Sequence, residues 1–419
     1  MNGSVPGCIH EGGELGYALA VAYGAVMDKP DLVAIAVIGD GEAETGQTAT
    51  AWNAHKYIDP SESGAVLPIV HLNRFKIAEP TILGTMDDAE LLALFSGHGY
   101  QARIVSYDKL VARHTVPGDD AAIEFDREMA RSLEWAYDEI LAIQNAARYG
   151  EPVVKPRWPL LIVASPKGWG CPSMLDGAPL ENSYRSHQVP VTDPLHNSAH
   201  FDMLEHWLKS YEPHKWFTPG KQPFLANTIT QVLPAQPQHR LGQISDIYGE
   251  PTPIAFSHWE DFAVDKGSLS SAMEACGRLI TEETAYNPYA FRIFSPDELI
   301  SNRLGQVLDR TTTRNFQPDP ATAVTSTGRQ HGGRVIEMLS EHTLQAFAQG
   351  YSLMGGLTLF PSYESFLPIA TTQIEQYAKF LKDMSDVSFR PKPRSITYIE
   401  TSSLYRQEHN GFSHQVRST

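Results

Sequence analysis

Asp40 ends an apolar run. In VIGDGEAETG the chain passes from LVAIAVI into an aspartate bracketed by Gly39 and Gly41, then places two glutamates. A carboxylate at the carboxyl end of a buried strand can hold a hard cation. Asn73, which follows the second apolar run AVLPIVHL, adds an amide oxygen, and the backbone carbonyl of Phe75 adds a third. Three such oxygens make part of an octahedral shell for Mg2+, an ion that keeps several waters and borrows further oxygens from ligand phosphates. The same residues also read as a strand ending in an ordinary polar loop, and spacing alone leaves both readings open. Gly12 and Gly13 in HEGGELG give a turn entering a helix, where backbone N–H groups approach a phosphate or simply form a turn.

Glu341, in LSEH, raises a second kind of chemistry. A carboxyl group after an apolar strand is costly to bury unless it is paired or protonated, and a protonated one can donate to a ring nitrogen. In an exposed loop it would do neither. Tyr363 and Phe366 in PSYESF offer an aromatic wall to a heterocycle, or ordinary core packing. RQEHNGFSH gathers Gln407, His409, Asn410 and His414 into one short polar segment. Imidazoles move protons near neutral pH and donate to phosphate.

The elements that must position these groups alternate. Leu32–Ile38 reads as a strand buried on both faces, Ala43–Tyr57 as a helix stopped by Asp59-Pro60, and Ala65–Leu72 as a second strand, with Pro68 arguing mildly against a central place. Ala121–Arg148 reads as an acidic amphipathic helix, and Pro159–Ser165 as a third buried strand. From about Met174 to Lys266 periodicity fades, as in a long connection. The alternation resumes with strands at Tyr289–Phe294, Arg334–Leu339, Leu357–Phe360 and Ser395–Glu400, and helices at Thr343–Met354 and Leu367–Met384. The expectation is an α/β protein whose polar clusters fall at the carboxyl ends of parallel strands, the edge where such sheets bind ligands.

Composition narrows the partners. Of 419 residues, 33 are basic and 49 acidic, a net charge of −16 that argues against general attraction to nucleic acid or an anionic membrane. No run approaches the ~18 apolar residues of a membrane span. Cys8, Cys171 and Cys276 are too scattered for a disulfide framework or a zinc site, which fits a cytoplasmic protein.

The segments PGCIHEGGELGYALA, GDGEAETG, HLNRFKIAEPT, SPKGWGCP, RSHQVP, SPDELISNR, LSEHT, PSYESF and RQEHNGFSHQ resemble, in that order, the motifs of phosphoketolases, thiamine-diphosphate enzymes of the transketolase-like group. The resemblance implies a diphosphate- and magnesium-binding domain over residues 1–190, a connection over 191–269 and a pyrimidine-binding domain over 270–419. It implies thiamine diphosphate and Mg2+, with Gly12, Gly13, Gly39, Asp40, Gly41, Asn73 and Phe366 around the cofactor and Asp40, Asn73 and Phe75 on the metal. Glu341 would act on the aminopyrimidine, with His187, His414 and Lys167 assisting proton transfers. Ser301, Arg303, Tyr363, Gln407, His409 and Asn410 would line the sugar-phosphate and inorganic-phosphate region. An arginine there suits phosphate geometry. The implied activity is phosphorolytic cleavage of xylulose 5-phosphate or fructose 6-phosphate to acetyl phosphate and an aldose phosphate, in a homodimer whose subunits share each cofactor. The alternatives are transketolase-type transfer of a two-carbon unit, or an inactive homologue that binds only cofactor or a full-length partner.

Departures from the family pattern are few within the match. Arg74, Phe75 and Glu79 stand where HLNGYKIANPT has Gly, Tyr and Asn, and Glu408 stands where Asp is common. Family chains are roughly twice as long, so the sequence is expected to be a fragment lacking both family ends.

Overall fold

Parallel pairing organises both halves of the chain. The computed structural model describes residues 3–10, 14–113, 119–216, 227–240, 242–243, 251–314, 329–330 and 332–401. α1 (Ala18–Val26) leads into β1 (Val33–Gly39); α2 (Asp40–Ala43), α3 (Gly46–Ala51) and a 3-10 turn at Ala54–Tyr57 lead to β2 (Ala65–Leu72). α4 (Asp88–His98) precedes β3 (Tyr100–Ser106), and α5 (Tyr107–Arg113) and the long α6 (Asp119–Tyr149) precede β4 (Trp158–Ala164). These strands form a sheet in the order β1-β2-β4-β3, parallel throughout.

Two local expectations need correction. The helix expected over Ala43–Tyr57 is broken, because Thr45 takes an extended backbone (φ −70°, ψ 152°) and a new helix starts at Gly46. β1 is buried on one face only: Ala34, Ala36 and Ile38 are covered, whereas Val33, Ile35 and Val37 are 38%, 51% and 56% exposed. β1 also lies at the edge of its sheet, and one face of its pleat is left uncovered among the described residues. Pro68 does sit in a central strand, opposite Ala36 in the ladder.

A small antiparallel pair follows, β5 (Met174–Leu175) and β6 (Ala178–Pro179), then α7 (Ser198–Ser210), α8 (Pro213–Trp216) and α9 (Asn227–Val232). α7 lies inside the stretch that periodicity reads as irregular. Its Asn197 side chain caps the N–H groups of Ala199 and His200, and Met203 and Trp207 pack on Cys171, Leu175 and Leu180.

α10 (Ala272–Tyr286) opens the second half, followed by β7 (Phe291–Ser295), β8 (Thr313–Arg314), β9 (Arg329–Gln330) and β10 (Val335–Glu337). α11 (Glu341–Leu353), β11 (Leu357–Tyr363), α12 (Thr371–Met384) and β12 (Ile396–Thr401) complete it. The sheet order is β12-β11-β7-β10-β8-β9, again parallel. No described helix is long and apolar enough to cross a membrane.

The halves share one core, which runs from Leu19, Trp52 and Leu161 to Ile336, Phe347 and Phe360. α1 and α11 cross backbone to backbone. A Cβ on Gly24 would lie 2.2 Å from the Phe347 carbonyl, and one on Gly350 would lie 2.0 Å from the Val21 carbonyl. Glycine is what lets the two helices approach this closely. Beside the crossing, Asp28 at the end of the first helical turn-out is gripped by two guanidinium forks. Arg292 donates to it at 2.5 and 3.1 Å, Arg334 at 2.5 and 3.0 Å, and the Tyr351 hydroxyl at 2.7 Å. Burial alone would raise the Asp28 carboxyl, but the two arginine charges outweigh it and hold the group well below the usual carboxylate range.

Candidate active site

β1, β2 and β4 are neighbours, and the loops after their carboxyl ends bring Asp40, Asn73, Phe75 and Lys167 together. Asp40 is 2% exposed and heads α2. Its carboxylate accepts the N–H of Gly41 at 3.1 Å, the N–H of Arg74 at 2.6 Å and the Thr81 hydroxyl at 2.9 Å. Asn73 Oδ1 accepts the Phe75 N–H at 3.1 Å, which folds the loop back on itself. Arg74 between them has φ +73°, a left-handed conformation that glycine adopts without strain. The Arg74 side chain is anchored on Asp108 at 2.8 Å.

Lys167 follows β4 and is almost fully buried. Its ammonium donates to the carbonyls of Phe75 and Lys76, both at 3.0 Å. Burial pushes this amine below its usual range, while the nearby Asp40 charge opposes the shift. His187 is half-buried and belongs to a loop that packs on the lysine loop. The Asn182 N–H donates to the Lys167 carbonyl at 2.8 Å, and Ser186 occupies the space a side chain on Gly168 would need, 2.4 Å from its Cβ position. Gly168, at φ +69°, is required on both counts.

The two glycines of the GDG motif have ordinary backbone conformations. Neither has a positive φ. A Cβ on Gly39 would meet nothing within 4 Å, so the described residues leave open space beside Asp40. Glu42 in the same segment accepts the Gly16 N–H at 3.0 Å, tying the turn before α1 to the strand end. Gly12 and Gly13 lie outside the described residues.

In the second half the candidate residues again cluster at strand ends. Glu341 is the first residue of α11, half-buried, behind the Ser340 cap. Ser301 and Arg303 are exposed in the loop after β7; Ser301 donates to the Glu298 carbonyl at 3.1 Å, and Arg303 sits at φ +63°. The rings of Tyr363 and Phe366 stand edge to face, 6.2 Å apart, past the end of β11. Gln407, His409, Asn410 and His414 lie outside the described residues.

Residue-by-residue reading missed three contributors. Thr81 completes the Asp40 shell. Glu298 accepts the Tyr363 N–H at 2.9 Å, joining the loop after β7 to β11. Glu337, at the end of β10, is a half-buried acid whose desolvation raises it to about 7, with the neighbouring Asp297 and Glu298 carboxylates adding to the effect. Thr81 and Glu298 stand inside AEPT and SPDE, so the motifs carried a signal; nothing in the sequence singled out Glu337.

Two parallel sheets with their polar loops at the strands' carboxyl ends define an α/β fold. Two solved transketolase variants from Pichia stipitis are similar to 94% of the chain with TM-scores of 0.51 and 0.50, at 15% identity and over 53% of their own length; one is a complex with xylulose 5-phosphate. The XFP N-terminal domain family matches residues 1–251, and the family described as D-xylulose 5-phosphate/D-fructose 6-phosphate phosphoketolase matches residues 274–418. The chain belongs to the phosphoketolase family. It is 44% identical to a probable phosphoketolase of Schizosaccharomyces pombe over 99% of this chain and 47% of that one, and 41% identical to one of Chlorobaculum tepidum over 98% and 51%. It therefore spans about half the length of the curated relatives it matches.

Proposed function

We propose that the chain carries the cofactor-binding core of a phosphoketolase that cleaves xylulose 5-phosphate or fructose 6-phosphate with inorganic phosphate. The observation that carries this reading is the convergence of Asp40, Asn73, the Phe75 carbonyl and the Lys167 ammonium at three adjacent strand ends. A carboxylate, an amide oxygen and a carbonyl are the hard oxygen donors that suit Mg2+. The open space beside Gly39 leaves room for a phosphate to approach. The residues therefore fit a magnesium diphosphate.

Asp40, Asn73 and the Phe75 carbonyl would hold the metal, and Lys167 would supply positive charge beside the phosphates. Thiamine diphosphate, when bound, supplies the carbon nucleophile that takes up the two-carbon unit of the ketose and passes it to phosphate. Glu341 would hold a proton against the aminopyrimidine, with Phe366 beside that ring. Ser301, Arg303 and Tyr363 would position the sugar phosphate, and His187 would move a proton near the reacting carbon. A homodimer that shares each cofactor between subunits belongs to the same reading.

The test is calorimetric titration of the purified chain with thiamine diphosphate, with and without Mg2+, followed by assay for acetyl phosphate. Magnesium-dependent binding with acetyl phosphate formed only when phosphate is present is the expected result. Ketose turnover yielding only a new sugar would point to two-carbon transfer instead. A folded chain that binds no cofactor would overturn the reading.

A further inference from the structure

Glu337 closes β10 and lies opposite Ser295, the last residue of β7, in the parallel ladder. Its carboxyl group is buried against the Ser295 hydroxyl and the Asp297 N–H, and its Oε2 has no hydrogen-bond partner among the described residues. Glu298, two residues past the β7 loop's start, receives the Tyr363 N–H at 2.9 Å and donates its own N–H to Ser295 Oγ at 3.0 Å. The carboxyl ends of β10, β7 and β11 thus meet through carboxyl groups and one serine. A buried carboxylate with an unpartnered oxygen, facing two like charges, is an expensive arrangement; a neutral acid removes the repulsion and gains a donor.

We propose that Glu337 is a positioning residue: as a neutral acid it holds the Ser295–Arg303 loop against β10 and β11, and its ionisation releases that loop. The loop carries Ser301 and Arg303, so the effect on ligand rests on the sugar-phosphate role proposed for those residues. The groups around Glu337 are Ser295, Asp297 and Glu298 from the β7 loop, the Tyr57 hydroxyl, which donates to the Glu337 carbonyl at 3.1 Å, and Glu341 and His342 one helical turn further along its own chain. Burial first, and then the two carboxylate charges, raise the acid to about 7 against the opposing hydrogen bonds from the Ser295 hydroxyl and the Asp297 N–H, so it loses its proton within the range of ordinary assays.

The direction follows from linkage. A folded-state pKa raised above the ordinary glutamate value means a contribution that is full at low pH and is lost as pH rises through about 7. The experiment compares the whole chain with Glu337→Gln, which keeps the shape of the neutral acid. Infrared spectra of the wild type should show a buried carboxylic-acid carbonyl band at about pH 6 that fades by about pH 8 and is missing from the variant. The melting temperature of the wild type relative to E337Q should fall as pH rises to about 7 and then level off. With thiamine diphosphate and Mg2+ present, xylulose 5-phosphate binding to the wild type should weaken over that interval by at least about fivefold, the lower end of ordinary coupling between groups, while binding to E337Q stays flat.

An absent infrared band and a flat melting difference would overturn the proposal. So would both signals present with identical sugar-phosphate profiles in the two proteins. If neither protein binds sugar phosphate, the functional reading fails, and hydrogen exchange across Ser295–Arg303 decides the positioning role. A wild-type-to-variant exchange ratio that rises with pH supports it, and a constant ratio removes it.

Discussion

Asp28 and Arg334 are 306 positions apart in the chain and 2.5 Å apart in the fold. With Arg292 closing on the same carboxylate from the other side, this pair fastens the first sheet's unit to the second. A buried charge that loses its partners is left uncompensated, so Asp28→Ala should destabilise the chain by about 3–5 kcal/mol, read from denaturant unfolding. The pH dependence has a definite sign. Because the folded-state carboxyl lies well below its ordinary value, its contribution is present above that ordinary value and is lost as pH falls through the folded one. Wild-type stability should therefore decline more steeply in acid than that of Asp28→Asn, and parallel acid profiles would refute the assignment.

The helix crossing gives a steric prediction. Gly350→Ala puts a methyl group 2.0 Å from the Val21 carbonyl, so α1 and α11 must move apart. Overpacking of this kind costs about 1–3 kcal/mol or more. Gly97→Ala, where nothing lies within 4 Å of the new atom, is the control and should be neutral or slightly stabilising in the same melting experiment.

Two substitutions separate metal binding from proton handling. Asp40→Asn removes the carboxylate proposed to hold the metal, which already accepts three hydrogen bonds, and should lower magnesium-dependent cofactor affinity by more than about tenfold, or about 1.4 kcal/mol. Glu341→Gln should leave that binding nearly intact while abolishing turnover. Equal effects of both on cofactor binding would refute the division of roles.

Arg74 offers a gain. Its left-handed backbone costs an L-residue roughly 1–2 kcal/mol, whereas the half-exposed ion pair with Asp108 returns about 0–1 kcal/mol. Arg74→Gly should leave the melting temperature unchanged or slightly raised, with cofactor affinity preserved, because the backbone N–H still reaches Asp40. A large loss of stability would show that the Asp108 pair matters more than its exposure suggests.

The legible parts of this fold were those written in local pattern. Ala65–Leu72 is a run of apolar residues because β2 is covered on both faces, and its ends match the expected strand. Asp40 and Asn73 stood out because each closes such a run. Tyr100–Ser106 was not read as a strand, since as an edge strand it mixes Gln101 and Arg103 with its apolar residues. α7 escaped because its stability comes from the Asn197 cap and from packing on Cys171 and Leu180, neither visible as periodicity. Glu337 and Asp28 depend on partners that fold geometry alone delivers. Asp28 in MDKPD looks like a turn residue until Arg292 and Arg334 arrive, and Glu337 looks like a strand-end acid until Asp297 and Glu298 close over it.

The shared core, the glycine crossing and the Asp28 clasp all join the halves without using the connection between them. The exposed stretch around residues 232–240 contributes no buried side chain. A protease nick there should yield two pieces that still travel together through a sizing column and melt as one unit. Covalent continuity, in this chain, matters more for bringing the halves together during folding than for holding them afterwards.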